Sequence, residues 1–250
     1  MRAPALPSDW LQADGLPPGV TAFMTTRAGG VSTGAYASMN LRPPGWRADA
    51  MDDAAAVAEN RRRLNAALGS AQAVLLNQVH GVEVAVLTPA LAATVPHADA
   101  AVSRDPHLAC TVLTADCLPV LLASADGRTV GAAHAGWRGL AAGVIEATVD
   151  AMGGAAHAWL GACIGPKRFE VGGDVREAFA AAPPACFVAN RPGHWLADLY
   201  GLARWRLARL GVAQVGGGHW CTHTDAARFY SYRRDGLTGR QAAVIVPAGA

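Results

Sequence analysis

A cysteine and two histidines are the residues of this chain best suited to chemistry. Cys117 lies in Leu113-Thr114-Ala115-Asp116-Cys117-Leu118-Pro119, and His134 follows seventeen residues later in Ala133-His134-Ala135-Gly136-Trp137-Arg138-Gly139. His80 closes another apolar run in Asn77-Gln78-Val79-His80-Gly81. One thiolate and two imidazoles make a ligand set for a borderline-soft metal, and three protein ligands leave a fourth position open, as catalytic zinc sites do. Taken singly, each residue has a plainer reading, a buried thiol filling the core or a hydrogen-bonded histidine at a strand end. The small neighbours Gly81, Ala115 and Ala135-Gly136 tilt the balance, because they let backbone and substrate approach closely. The spacing itself is too wide to decide.

Several further groups could serve a substrate. Asp116 would point away from Cys117 in an extended segment, either as a turn carboxylate or as the partner that orients a ligand or arginine. Arg138 opens an expected helix, where free N–H groups and a guanidinium fork together suit a phosphate or carboxylate. Arg27 precedes the flexible turn Ala28-Gly29-Gly30 and could cradle an anion. Tyr230 and Arg233, in Phe229-Tyr230-Ser231-Tyr232-Arg233-Arg234, could stack on a heterocycle, although an exposed strand with solvated arginines is the commoner meaning of such a stretch. The other histidines occupy loop-like contexts, and Cys110, Cys163, Cys186 and Cys221 read as structural.

The elements that must position these groups follow from the apolar pattern. Strands are predicted over 73–79, 82–87, 110–114, 118–123, 130–133, 159–164 and 242–246, with a shorter one over 23–27. Most are uniformly apolar rather than alternating, which predicts a sheet covered on both faces. Helices are predicted over 50–68, 138–152 and 196–210, and residues 34–44 as a loop. Residues 1–20 are proline-rich and are expected to pack on the surface as an N-terminal extension of one α/β domain spanning 1–250.

Composition narrows the classes. The net charge is +2, with Lys167 the single lysine among 21 basic residues, so no basic field calls for nucleic acid. No apolar run approaches the roughly 18 residues needed to cross a bilayer. The five cysteines include no close CxxC pair, which speaks against a disulfide framework and, with no signal-peptide pattern, for a cytoplasmic protein.

Read together, the segments Thr25-Thr26-Arg27-Ala28-Gly29-Gly30-Val31-Ser32, Ser38-Met39-Asn40-Leu41, Glu59-Asn60-Arg61, Gln78-Val79-His80-Gly81, Thr114 to Val120, His134 to Gly139, Gly165-Pro166, Cys221-Thr222, and Ser231 to Arg234 with Gly239-Arg240-Gln241 resemble the YfiH-like family, also called the laccase-domain or polyphenol oxidase family. The matches run from about residue 21 to 246. The resemblance implies an α/β (α+β) fold, a single-domain mixed β-sandwich flanked by helices, similar to the deamidase domain of cytotoxic necrotizing factor toxins. It implies Zn2+ held by His80, Cys117 and His134. It also implies a purine nucleoside phosphorylase with adenosine deaminase activity, acting on purine nucleoside and inorganic phosphate; Arg27 and Arg138 are the candidates for holding that phosphate. On this reading the chain is a monomer or weak homodimer without nucleic-acid or membrane partners. The alternative is a Cys117–His134 amidase editing peptidoglycan precursors. Copper-dependent phenol oxidation is the less favoured reading, since multicopper sites use His-x-His clusters and the chain has none. The chain departs from the family at Met39, where leucine is usual, and around Arg42-Pro43-Pro44-Gly45-Trp46.

Overall fold

The structure is a computed structural model describing residues 6–43 and 51–249. The departure at Pro44-Gly45-Trp46 therefore lies outside the described residues, as does the start of the first expected helix. In chain order the strands are β1 Leu11–Gln12, β2 Thr21–Met24, β3 Gln72–Val74, β4 Val84–Val86, β5 Ala100–Ser103, β6 Leu108–Thr114 and β7 Leu118–Ala123. There follow β8 Val130–Ala135, β9 His157–Leu160, β10 Glu170–Val171, β11 Phe187–Arg191, β12 His194–Ala197, β13 Gln214–Gly217 and β14 Gln241–Val246. The helices are α1 Ala54–Ala67, α2 Pro89–Ala92, α3 Trp137–Ala142, α4 Val144–Met152, α5 Gly173–Ala178, α6 Leu199–Arg209 and α7 Tyr232–Asp235.

Two mixed sheets stack face to face. One runs in the order β1-β2-β14-β6-β3 and the other β13-β9-β7-β8-β5-β4, while β10-β12-β11 form a small third sheet. Side-chain alternation sorts each uniformly apolar strand into two cores. Cys110 and Val112 of β6, Leu121 and Ala123 of β7, and Ala243 and Ile245 of β14 meet between the sheets. Leu118, Val120 and Leu122 of β7 face the other way, onto Leu140, Val144, Ile145 and Val149 of α3 and α4 and Leu202 of α6. Ala242 and Val244 of β14 pack with Phe23 and Leu64 of α1. The result is α1, sheet, sheet, and a helical layer, with hydrophobic cores in the three interfaces. Within the N-terminal stretch, Trp10 stacks on Phe23 with ring centroids 5.1 Å apart.

Local chemistry moves several boundaries. The helix expected over 138–152 is two helices, broken at Gly143 (φ 102°), whose N–H caps α3 on the Gly139 carbonyl. A left-handed residue cannot continue the helix, and glycine adopts it without a Cβ penalty. The strand expected over 159–164 ends at Leu160, and residues 194–197 form β12 rather than the first turn of α6. The strands expected over 73–79 and 82–87 shrink to β3 and β4, and the freed segment 75–83 crosses from one sheet to the other.

Candidate metal centre

Two such crossings and the end of β8 converge at one end of the sandwich. The β3–β4 crossing carries His80, and the turn from β6 to β7 carries Cys117. Antiparallel register places Leu118 opposite Ala135, so Cys117 lies beside the end of β8, where His134 sits. Register between β5 and β8, Ala100 opposite Ala133, brings Asp99 to the same place.

His80, Cys117 and His134 present ligand atoms that all lie within 4.8 Å of one another, with Cys117 Sγ 3.7 Å from His80 Nε2. Tetrahedral zinc with Zn–S near 2.3 Å and Zn–N near 2.0 Å needs donors roughly 3.5 Å apart, so a small inward adjustment completes the cradle. Gly136 is what leaves the room: a Cβ there would stand 2.9 Å from Cys117 Sγ and 3.0 Å from His80 Cδ2.

Asp99 holds the set together. It is fully buried, and its carboxylate accepts the backbone N–H groups of Val79 (3.0 Å), His80 (2.8 Å) and Gly81 (2.7 Å). Three convergent N–H groups make a concave anion nest, and they fix His80 in a left-handed conformation (φ 65°) costly for a side chain with a Cβ. The same carboxylate stands 2.9 Å from His134 Nδ1. An acceptor-only carboxylate requires the proton on Nδ1, which leaves Nε2 available as a ligand. Burial raises the Asp99 carboxyl, but the His134 and N–H hydrogen bonds outweigh it and hold the group below its ordinary value.

Electrostatics favour a thiolate. Burial alone would raise the Cys117 thiol, yet the adjoining His134 and His80 imidazoles bring it down to about 6. Burial would lower His134, but the Cys117 sulfur and the Asp99 hydrogen bond raise it to about 9. The pair thus rests as thiolate and imidazolium: the sulfur is in the form that binds a metal, and His134 would give up its Nε2 proton on binding one.

This cluster opens into a cavity of about 400 Å³, within the range of roughly 300–1,000 Å³ typical of small-molecule sites. Arg138 lines it, its guanidinium 4.4 Å above the Trp137 ring. Four other residues singled out from the sequence are not among its lining. Arg27 donates to the Ala37 and Ala226 carbonyls and lies 5.0 Å over the Tyr230 ring. Tyr230 is fully buried, not on an exposed strand, and its hydroxyl donates to the Tyr36 carbonyl at 2.6 Å. Asp116 (φ 92°) accepts from the Thr222 hydroxyl and the Arg233 N–H, each at 2.6 Å, tying the Cys117 turn to the C-terminal segment. Arg233 spends its guanidinium on the Glu170 carbonyl and the Phe169 ring.

The sequence reading passed over Asp99, Gln78, Arg42, Tyr232 and Arg240. Gln78 acts as a backbone mimic, donating to the Leu113 carbonyl and accepting its N–H, which fastens the His80 segment to β6. Asp99 had a visible signal: a lone acid entering the apolar run Ala100-Ala101-Val102, where a buried carboxylate must find donors.

A helix-flanked double sheet with a three-residue group that could hold a metal ion defines the class of this α/β protein. Residues 21–248 match the family described as multi-copper polyphenol oxidoreductase laccase, and the chain belongs to this YfiH-like family. A purine nucleoside phosphorylase of Pseudomonas aeruginosa is 50% identical, covering 94% of this chain and 97% of the relative. The purine nucleoside phosphorylase YfiH of Escherichia coli is 48% identical over 92% and 94% of the two chains. The crystal structure of a Neisseria meningitidis protein superposes with a TM-score of 0.89 at 44% identity, covering 97% of this chain and all of the other. That of YlmD from Geobacillus stearothermophilus gives 0.85 at 30% identity, with 96% of each covered.

Proposed function

We propose that this chain is a zinc-dependent purine nucleoside phosphorylase that also deaminates adenosine. The observation that carries this reading is the His80–Cys117–His134 set opening into a nucleoside-sized cavity that Arg138 helps to line, in a chain whose relatives bear the phosphorylase name. The substrates would be adenosine, inosine and methylthioadenosine, cleaved by phosphate to the base and the corresponding pentose 1-phosphate.

Zinc bound there would supply Lewis-acid polarisation and a lowered pKa for water. The chain's own residues do the positioning. Asp99 holds His134 in the ligating tautomer and keeps the His80 turn aimed inward. Arg138 offers a planar fork to the incoming phosphate, whereas Arg27, the other expected phosphate holder, is committed to backbone carbonyls.

A second reading has its own support. Cys117, His134 and Asp99 are arranged as nucleophile, base and orienting carboxylate, the logic of a thiol hydrolase. This suits a peptidoglycan-precursor amidase and the expected likeness to the cytotoxic necrotizing factor deamidase domain. Copper-dependent phenol oxidation has less support, since His80, Cys117 and His134 are the sole such ligand group among the described residues. No helix among those residues is long and apolar enough to cross a membrane.

Chromatography of adenosine incubated with zinc-verified protein, with and without phosphate and beside His80→Ala, tests the proposal. Adenine formed only with phosphate marks phosphorolysis, and inosine formed without it marks deamination. Neither product above the His80→Ala background would overturn the nucleoside reading. Full activity on a precursor amide after metal removal would establish the amidase.

A further inference from the structure

A second cavity, of about 430 Å³, lies beside α6, and no residue that lines it also lines the cavity of His80, Cys117 and His134. The turn after Gly165, the start of α6 and the segment from Gly218 to Thr224 enclose it. Some of its polar groups are committed to backbone. Arg204 donates to the Val215 and Gly217 carbonyls, and the Tyr200 hydroxyl donates to the Trp220 carbonyl and accepts the Cys163 N–H. Lys167 and Arg168 are not committed. Both residues are exposed, and neither side chain has a hydrogen-bond or ion-pair partner among the described residues.

Asp198 is the third uncommitted group. It stands at the N-cap position of α6, where an aspartate ordinarily accepts an N–H of the first turn, yet its side chain makes no capping bond. Neither carboxylate oxygen has a partner among the described residues. Oδ1 is enclosed, whereas Oδ2 borders Gly201, where a Cβ would stand 2.9 Å from it. Glycine inside a helix is destabilising relative to alanine. Here its missing side chain leaves Oδ2 open to the cavity that both residues line. A half-buried carboxylate without donors is costly, and a forgone cap beside a helical glycine keeps this one free for a donor from outside the chain. Trp220 supplies a ring wall, backed by Trp159 at 5.5 Å between centroids and flanked by His219 at 3.8 Å.

We propose that this second cavity is a binding site for a 5′-ribonucleotide. Each uncommitted group answers one part of such a ligand. The Asp198 carboxylate accepts the hydroxyls of a ribose, as an acid does in dinucleotide sites. The Trp220 and His219 rings offer faces on which a heterocyclic base stacks. Lys167 and Arg168 neutralise the phosphate. A bare anion would leave Asp198 without a donor, and an amine would leave two cations unanswered, whereas a ribonucleotide satisfies groups of both signs. The cavity volume lies within the range of roughly 300–1,000 Å³ typical of small-molecule sites. This site is independent of the phosphorolysis reading, since none of its groups belongs to the His80–Cys117–His134 set.

The test is isothermal titration of adenosine 5′-monophosphate into the full-length protein. Asp198→Asn keeps the side-chain shape and removes the charge, so affinity should fall about tenfold, the scale of a hydrogen bond to a charged group. The dideoxyribose analogue of the same nucleotide should lose about as much in the wild type and little more in Asp198→Asn, because both changes remove one interaction. Without nucleotide, the melting temperature of Asp198→Asn should stay level or rise, since an unpartnered half-buried charge is gone. Lys167→Gln combined with Arg168→Gln should bring the nucleotide down to the affinity of adenosine. Arg138→Gln, in the other cavity, should leave nucleotide affinity unchanged. A wild-type protein without saturable nucleotide binding would overturn the site. So would binding that Arg138→Gln weakens while Asp198→Asn and the double variant leave it intact, because the nucleotide would then occupy the cavity of the metal-ligand set. Either result leaves the chromatographic test of phosphorolysis untouched.

Discussion

Cys117 and Cys221 each line a cavity of similar size, about 400 Å³ for the first and about 430 Å³ for the second. Both thiols lie below their ordinary value although burial pushes each of them up. The opposing causes differ. Two imidazoles bring Cys117 down, whereas Cys221 relies on hydrogen bonding by Thr224 and by the N–H groups of Gly165, Thr224 and His223. The histidine lining the second cavity, His219, lies tilted against Trp220 with ring centroids 3.8 Å apart. The first cavity gathers candidate metal ligands because two sheet-crossing segments and the end of β8 meet there and Asp99 binds both histidines. The contrast teaches that a depressed thiol and a cavity are insufficient. Convergent ligands held by a common carboxylate make the difference.

Exchanging serine for each cysteine is the severest trial of that contrast. Cys117→Ser should cost on the order of a hundredfold or more in zinc affinity, because hydroxyl replaces the thiolate ligand, and turnover should fall with it. Cys221→Ser should retain zinc content and turnover within about twofold. Metal analysis after dialysis reads both, and equal losses would erase the distinction. Asp99→Asn comes next. It keeps the shape but replaces an acceptor-only group that serves four donors, so zinc affinity should drop about 10- to 100-fold. Chelator competition measures this without reference to catalysis. Gly136→Ala should lose roughly tenfold by crowding Cys117 and His80 while leaving the fold intact.

The same contrast shows what was legible in the sequence. The three candidate ligands and most of the strands could be singled out, since residue chemistry and apolar runs are local properties, whereas the sandwich was implied by the resemblance alone. Asp99 was not singled out, because its importance lies in hydrogen bonds to residues about 20 positions earlier and 35 later. Arg27, Tyr230 and Arg233 looked like substrate contacts because sequence shows a guanidinium or a phenol without showing which carbonyl it faces. The break at Gly143 was readable in principle, but one glycine in a helical pattern does not announce a left-handed conformation.

Titration sharpens the electrostatic half of the comparison. In metal-free protein, ultraviolet thiolate absorbance should show a transition near pH 6 that Cys117→Ser abolishes. The consequence for stability is small because the two shifts oppose each other. The raised His134 contributes fully below its unfolded value of 6.5 and loses that contribution as pH rises through about 9. The depressed Cys117 contributes fully above its unfolded value and loses it as pH falls through about 6. Denaturant midpoints of metal-free protein should therefore change little because of this pair between pH 6 and 9. A steep slope that vanishes in Cys117→Ser would show that the groups do not behave as a pair.

The mildest test concerns the boundary between centre and scaffold. The sequence offered Tyr230 as a base-stacking residue, whereas the structure buries its ring and gives its hydroxyl to the Tyr36 carbonyl. Tyr230→Phe removes that bond while the ring remains to pack against Arg27 and to fill the space beside Gly239. The loss should be about 1 kcal/mol, or about 2–4 °C in melting temperature for a chain of this length. Nucleoside KM and kcat should both stay level, because the cavity wall and the ligand cluster are untouched. A raised nucleoside KM with an unchanged melting temperature would invert this assignment. It would place the Tyr230 hydroxyl in the substrate's surroundings and move the edge of the active centre past the Arg27 turn.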